Sequence, residues 1–345
     1  MTACALQGIG EAAAFRFAQA GSSVYILGRS FDRGTSIINQ LSKIAKPGQT
    51  FEFVQADLRC VLYRTSGARE ASHWIRRADA WRVWLGPARS RESVTLPRCS
   101  SRSLACTGST SSSKLKVSNP LPPLHSGLIP DHNQTPNHPG GPPNGRFTTN
   151  PDGNDTHFAI QILSRFGLAF LLAKSGTLKD SVTVVCAPGG AASPAPDASD
   201  LQLTAARAAG RLSWGRAIPA TGARDTAVTD AWTAHLAEKF PHLRVSHLFP
   251  GYVSTKAAAN AGFPWPVVAL QRAADPVLTR TIGNTAAGYA EVPVFAAANP
   301  EARRLPGSEW LGPKLQSYGR PKWVDDQRET RIAVWDALKA LLGED

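Results

Sequence analysis

Gly8-Ile9-Gly10-Glu11-Ala12-Ala13-Ala14 is a glycine-rich turn that runs straight into an alanine-rich helix. Glycine lets a backbone turn tightly and approach a ligand with no Cβ in the way. The helix that follows offers unpaired N–H groups and the positive end of its dipole, which suits a phosphate, although such a turn is most often a plain connection. Ala13, Phe17 and Ala20 share one helical face, Gly21 stops the helix, and Val24-Tyr25-Ile26-Leu27 reads as a buried parallel strand. Turn, helix and strand in that order open a doubly wound nucleotide-binding fold.

The same alternation continues outward. Ile37, Ile38, Leu41 and Ile44 mark an amphipathic helix closed by Pro47-Gly48, and Phe51 to Val54 a further strand. After a long irregular interval, the turn at residues 151–155 caps a helix predicted from Thr156 to Lys174, whose apolar residues are too many for one narrow stripe and so imply burial against a sheet. Strands are predicted at Ser181–Cys186 and Leu243–Phe249, with a helix from Thr226 to Phe240 between them. Residues 191–222 are small and rich in proline and glycine, and read as a mobile substrate loop or a plain connection. A helix from Ala286 to Ala298, weakened by Pro293, and one from Asp325 to Leu342 complete the chain. The fold class predicted is α/β, a doubly wound parallel sheet of Rossmann type. It forms one domain over residues 1–345: a cofactor half at 1–58, an irregular insertion at 59–146, and the rest of the sheet at 147–345.

Composition narrows the function. No run reaches the roughly 18 apolar residues of a membrane span; the best, Phe158 to Ala173, is interrupted by Gln161 and Arg165. Met1 leads directly into the glycine turn without a secretory signal, so we expect a cytoplasmic, reducing setting, and the five cysteines show no spacing of a disulfide framework or zinc site. A net charge of +12 raises the question of nucleic acid, but residues 59–146 alone hold 13 Lys/Arg against 4 Asp/Glu, or +9, leaving 12 − 9 = +3 for the remainder. The basic character belongs to that segment and not to a groove on the folded body. The segment carries ten prolines and no sustained period of 2 or 3.6. A structureless insertion of this length is unusual inside a compact domain, and we expect part of it to be non-native translation, such as a retained intron or a shifted frame.

GIGEAAAFRFAQAGSSVYILGRS followed by FVQADL resembles the N-terminal half of a short-chain dehydrogenase/reductase of the divergent fungal type. The family loop is Thr-Gly-x-x-x-Gly-x-Gly; Gly8 and Gly10 match its last two glycines, the first falls on Cys4, and the strand that should lead in is missing. The resemblance implies that Gly8, Ile9 and Gly10 bind the cofactor and that Asp57-Leu58 lie beside the adenine ring. Arg29, after the first legible strand, stands where an arginine pairs with a ribose 2′-phosphate, which points to NADP over NAD; as an isolated residue it reads equally as a solvated arginine. Pro250-Gly-Tyr-Val-Ser-Thr255 resembles the family's Pro-Gly-x-Val-x-Thr turn, and Thr255 is carried over as a cofactor contact.

The family's chemistry uses a tyrosine, a lysine four residues on, a serine and often an asparagine, because a phenol with pKa near 10 needs a nearby cation to act at neutral pH. Alignment by flanking elements puts Gln161 at the asparagine, Ala187 at the serine, Gly222 at the tyrosine and Thr226 at the lysine. Tyr252-Val-Ser-Thr-Lys256 is a Tyr-x-x-x-Lys and so a candidate catalytic pair, but it follows Pro250-Gly251 directly and no serine stands about a dozen residues upstream, so Tyr252 reads rather as a turn residue and Lys256 as a solvated helix start. The resemblance implies an NADP-dependent oxidoreductase acting on a small carbonyl or alcohol, of the kind found in secondary metabolism, with room for a homo-oligomer. A catalytically silent nucleotide-binding or scaffold protein is the alternative. A nucleic-acid binder or a membrane protein is not expected, nor is a metal site.

Overall fold

The computed structural model describes residues 8–57, 147–189, 193–255, 263–304 and 310–344, all within one compact unit. Helix α1, Ile9–Gln19, begins at Gly8, whose φ of 64° is a left-handed value that glycine adopts without a Cβ penalty. Strand β1, Val24–Gly28, helix α2, Phe31–Lys43, and strand β2, Phe51–Gln55, follow as predicted. The two strands pair in parallel from Val24↔Phe51 to Gly28↔Gln55, and Ser30 caps α2 by accepting from the Arg33 N–H.

Helix α3 runs Thr156–Lys174 with Asp155 as N-cap and a π-turn over Ala159–Leu163, the turn that holds Gln161. It is long and apolar enough to span a membrane by length and composition, yet Phe158, Ile162, Leu163 and Phe166 are fully buried in the protein's own core. Strand β3, Ser181–Val185, leads to a short helix α4, Thr204–Ala208, and then to α5, Trp214–Lys239. Here the sequence reading needs correction. The helix begins twelve residues before Thr226 and runs through Pro219 and Gly222, which read as breakers. Burial overrides local preference: Ala217, Thr221, Arg224, Val228, Ala231 and Trp232 all lie inside.

Strand β4, Arg244–Leu248, pairs in parallel with β3, Ser181↔Arg244 through Val185↔Leu248. A short strand β5, Tyr252–Ser254, is joined through helix α6, Trp265–Thr281, to β6, Gly283–Thr285, its parallel partner. The helix expected at 286–298 is two pieces, α7, Ala286–Tyr289, and α8, Glu291–Ala298. Because α8 restarts at Glu291, Pro293 falls in a first turn where its missing N–H costs nothing. Strand β7, Trp310–Leu311, pairs with β4 through His247↔Trp310 and Leu248↔Leu311. Helices α9, Lys322–Asp326, and α10, Arg328–Leu342, end the chain.

Every strand pair is parallel, as a doubly wound sheet requires, with β2–β1 as one wing and β3–β4–β7 as the other. Among the described residues no strand pairs with the free side of β1 or of β3. The expected loss of a first strand and the expected insertion at 59–146 both lie outside the described residues. Alternation along the strands sorts two faces. Val184, Trp310 and Val245 pack with α3, α5 and α10 around Phe166, Trp232 and Trp335. Leu248, Leu311 and Val185 turn the other way, onto Tyr289, Val292 and Ala296. On the first wing Ala14, Phe17, Ile26, Ile37 and Leu41 pack with Ala290 and Val294.

Candidate functional site

Helices antiparallel to the strands they serve bring helix N-termini and strand carboxyl ends to one edge of the sheet. On that edge lie the start of α1, Arg29 after β1, Asp57 after β2, Cys186 and Ala187 after β3, and the Pro250–Thr255 turn after β4.

Two of the chain segments that the sequence assigns to one cofactor meet there, the glycine turn and the Pro250–Thr255 turn. A Cβ on Gly8 would stand 3.1 Å from Thr255 Cγ2, so residues 247 apart in the chain are in direct apposition. Gly251, with φ 63°, makes the turn that delivers Thr255. Among the described residues no side chain caps the N-terminus of α1, where the first N–H groups of a helix have no partner within it. Glu11 in that first turn is partnered by Arg33 at 3.1 Å, which offsets a charge that would otherwise repel phosphate. Ile9 turns its side chain onto the Leu248–Leu311 cluster, so only its backbone faces the mouth. Arg29 is held by its carbonyl, which accepts from Gln55 Nε2 at 3.0 Å. Asp57 is half-buried at the end of β2; Leu58, Cys4 and Lys256 lie outside the described residues.

Tyr252 is directed elsewhere. Its hydroxyl donates to Asp275 Oδ1 at 2.5 Å, and Ser254 donates to Oδ2 of the same carboxylate at 2.6 Å. The Asp275 bond, with partial desolvation, moves the phenol above its usual value, the opposite of what an acid/base tyrosine needs.

Sequence reasoning missed a buried polar cluster formed where α5, β4 and β7 meet. Ala187 contributes no polar group, but the loop after it docks on α5: the Gly189 N–H donates to Asp230 Oδ2 at 3.0 Å, and a Cβ on Gly189 would touch Thr226. Asp230 Oδ1 accepts from Trp310 Nε1 at 2.6 Å and pairs with His247 Nδ1 at 2.8 Å, both side chains of the pair being fully buried. The His247↔Trp310 register explains this, because residues directly paired on neighbouring strands project to the same face. Val184 pairs with His247, so Cys186, two residues on, projects to that face also. Burial opposes charge on His247, but hydrogen bonds to Asp230 and Cys186 and their charges outweigh it and raise the imidazole to about 9. Burial pushes the Cys186 thiol up, and His247 together with Arg165 more than reverses this, leaving it below the usual thiol value.

A second buried cluster adjoins the first. Asp225 pairs with Arg224 Nε and with His157 Nε2, each at 2.7 Å, and Arg224 also donates to the Leu201 carbonyl at 2.7 Å. A cleft of about 550 Å³ lined by Thr149, Asp155, Gln202 and Arg207 lies beyond it and shares no lining residue with the Gly8–Thr255 mouth. Among the described residues no three His, Cys, Asp or Glu side chains are placed to hold a metal ion.

No family model matches the chain, and no curated protein matches it. Solved structures do. The reductase/Diels-Alderase MalC from Malbranchea aurantiaca is 14% identical with a TM-score of 0.50, over 92% of this chain and 94% of that one. A short-chain dehydrogenase from Sphingobium yanoikuyae in complex with NADPH is 14% identical, TM-score 0.46, over 96% and 94%. A short-chain type dehydrogenase/reductase from Mycobacterium ulcerans is 13% identical, TM-score 0.48, over 96% and 95%. The likeness is one of fold: a Rossmann-type, doubly wound α/β chain.

Proposed function

We propose that this chain is an NADP-dependent oxidoreductase of the short-chain dehydrogenase/reductase type, acting on a small carbonyl or alcohol. The observation that carries the reading is the apposition of Gly8 and Thr255 at the uncapped start of α1. A glycine that meets a neighbouring side chain as soon as it gains a Cβ, beside free helix N–H groups, suits a pyrophosphate held by backbone alone. Gly8, Gly10 and the Ile9 backbone would hold that group, Thr255 its nicotinamide end, and Asp57 the adenine side. Arg29, at the carboxyl end of β1, would pair with a 2′-phosphate and so favour NADP. When bound, the nicotinamide supplies or accepts hydride; the protein's part is to orient the partners and to manage a proton.

A catalytically silent nucleotide binder is the second reading, favoured by Ala187, Gly222 and Thr226 at the positions of the family's serine, tyrosine and lysine. Fluorescence titration with NADPH tests the first claim. Weak but saturable binding is expected, lost in Gly8→Val, with NADH preferred over NADPH in Arg29→Glu. No binding by the unmodified chain rejects the reading, and binding without turnover of any carbonyl favours the silent one.

A further inference from the structure

We propose that helix α6, Trp265–Thr281, lies on an anionic phospholipid surface and holds the chain there as a peripheral protein. A helix lying in the plane of a bilayer is a different arrangement from a spanning one. The proposal stands on the helix alone and does not depend on the oxidoreductase reading.

Exposed apolar side chains are concentrated there. Of the eight exposed large apolar side chains among the described residues, five belong to α6 or follow it directly: Trp265, Val267, Leu270, Val277 and Ile282. Trp265 is 80% exposed, Leu270 72% and Val277 63%. Single exposed leucines need no explanation, whereas a contiguous patch marks a surface with a partner. Pro266, Leu270, Ala273 and Val277 recur at helical spacing, and all four are exposed, so they form one stripe along the helix. No residue of α6 is buried. Isolated helices of this length are marginal in water and gain most of their stability from burying an apolar face. The exposed stripe is the face that α6 has left to bury.

Charge decides what covers it. Trp265, Ala269, Arg272, Pro276 and Arg280 form the neighbouring exposed stripe, and among the described residues neither arginine has an ion pair. Asp275 is the single acidic residue of the helix, and it is committed to the fold, accepting from the Tyr252 hydroxyl at 2.5 Å and from Ser254 Oγ at 2.6 Å. A second copy suits this face poorly: in an antiparallel two-fold pair the same flank of each helix meets, and arginine faces arginine. Anionic lipid answers both stripes at once. Leucine, valine and tryptophan enter the boundary between headgroups and acyl chains, while arginine keeps its stem among apolar groups and its guanidinium at the phosphates. A tryptophan at one end of the helix suits the headgroup level.

The helix is fastened to the rest of the fold. Both Asp275 bonds tie it to β5, beside the turn that delivers Thr255, and β6 follows Ile282 to pair in parallel with β5. Its 17 residues, at about 1.5 Å each, make an anchor about 25 Å long. Near an anionic surface each arginine contributes about fivefold in partition. Each apolar side chain taken fully out of water contributes about tenfold or more.

Flotation of the full chain with vesicles tests this, using phosphatidylcholine alone and phosphatidylcholine with about one third phosphatidylserine, at about 0.1 M salt. Binding to the mixed vesicles should exceed binding to the neutral ones at least tenfold. Leu270→Ser with Val277→Ser should lower it at least tenfold, and Arg272→Gln with Arg280→Gln about twenty-five-fold. These side chains are exposed, so both pairs of variants should keep the far-ultraviolet circular dichroism of the unmodified chain. The segment at 59–146, with its net charge of +9, would draw the chain to the same vesicles by charge alone, and changes on α6 leave that attraction untouched. Binding unchanged in both pairs of variants therefore overturns the proposal, as does failure to bind the mixed vesicles. Mixed vesicles with brominated acyl chains give a readout on the unmodified chain: they should quench part of its tryptophan fluorescence, and Trp265→Phe should remove most of that quenching. No quenching overturns the proposal. An unmodified chain that sediments as a dimer, with a monomeric Leu270→Ser, Val277→Ser variant, overturns it in favour of a second copy.

Discussion

Replacing Asp230 by asparagine should remove most of the pH dependence of this protein's stability between pH 6.5 and 9.5. In the folded chain His247 titrates at about 9, against an ordinary value of about 6.5 for an exposed histidine. Because the folded value is the higher one, the protonated imidazole stabilises the fold. That contribution is complete below about pH 6.5 and is lost as pH rises through about 9. The gap corresponds to about 3 kcal/mol, shared with the Cys186 thiol because the two titrate together. An asparagine side chain keeps the shape but offers one acceptor oxygen where the carboxylate has two, and it removes the negative charge. His247 should then titrate well below 9, and breaking a fully buried pair should cost about 3–5 kcal/mol at pH 6.5. Urea unfolding at half-unit pH steps measures both quantities. The unmodified chain should lose about 3 kcal/mol across the window, and Asp230→Asn should start lower and stay nearly flat. Equal slopes for the two proteins would show that Asp230 does not hold the charge on His247, and the account of this cluster would be wrong.

Gly8→Val should weaken NADPH binding at least tenfold, because valine must take a left-handed φ and clash with Thr255, and calorimetric titration reads the loss directly. Phe166→Ala should cost about 3–5 kcal/mol in urea unfolding, since Phe166 is fully buried with its ring stacked on Phe170 and edge-on to Trp232 and Trp335. Tyr252→Phe should leave the rate of any carbonyl reduction within about twofold, because that hydroxyl is committed to Asp275; a hundredfold loss would restore Tyr252 as the acid/base group. Sequencing the transcript should show whether residues 59–146 are coding: an mRNA that reads through them in frame removes the proposal that part of the segment is non-native.

Glycine turns, apolar runs and helical stripes are local signals, and they were enough to order the elements. Val24–Gly28, Phe51–Gln55 and Arg244–Leu248 lie where apolar periodicity predicts, as does the helix Thr156–Lys174 with its Asp155 cap. The glycine loop and the Pro250–Gly251 turn were legible for the same reason: each is a short run whose residue types answer to its own backbone geometry. The start of α5 was not legible, because Pro219 and Gly222 oppose a helix locally and only burial against the core favours one.

The chemistry of the site belongs to the tertiary structure. Cys186, Asp230 and His247 have no mutual spacing to detect, and each looks ordinary in its own segment, a cysteine ending a strand, an aspartate in a helix, a histidine in an alternating run. Parallel pairing puts Val184 beside His247 and His247 beside Trp310. The docking of α5 beneath them places one carboxylate against all three donors. Sequence alone thus determined which segments become strands and helices, since hydrophobic periodicity acts over a few residues. Register and helix docking determined which distant side chains share a charge, since an ion pair depends on separation in space and on the exclusion of water.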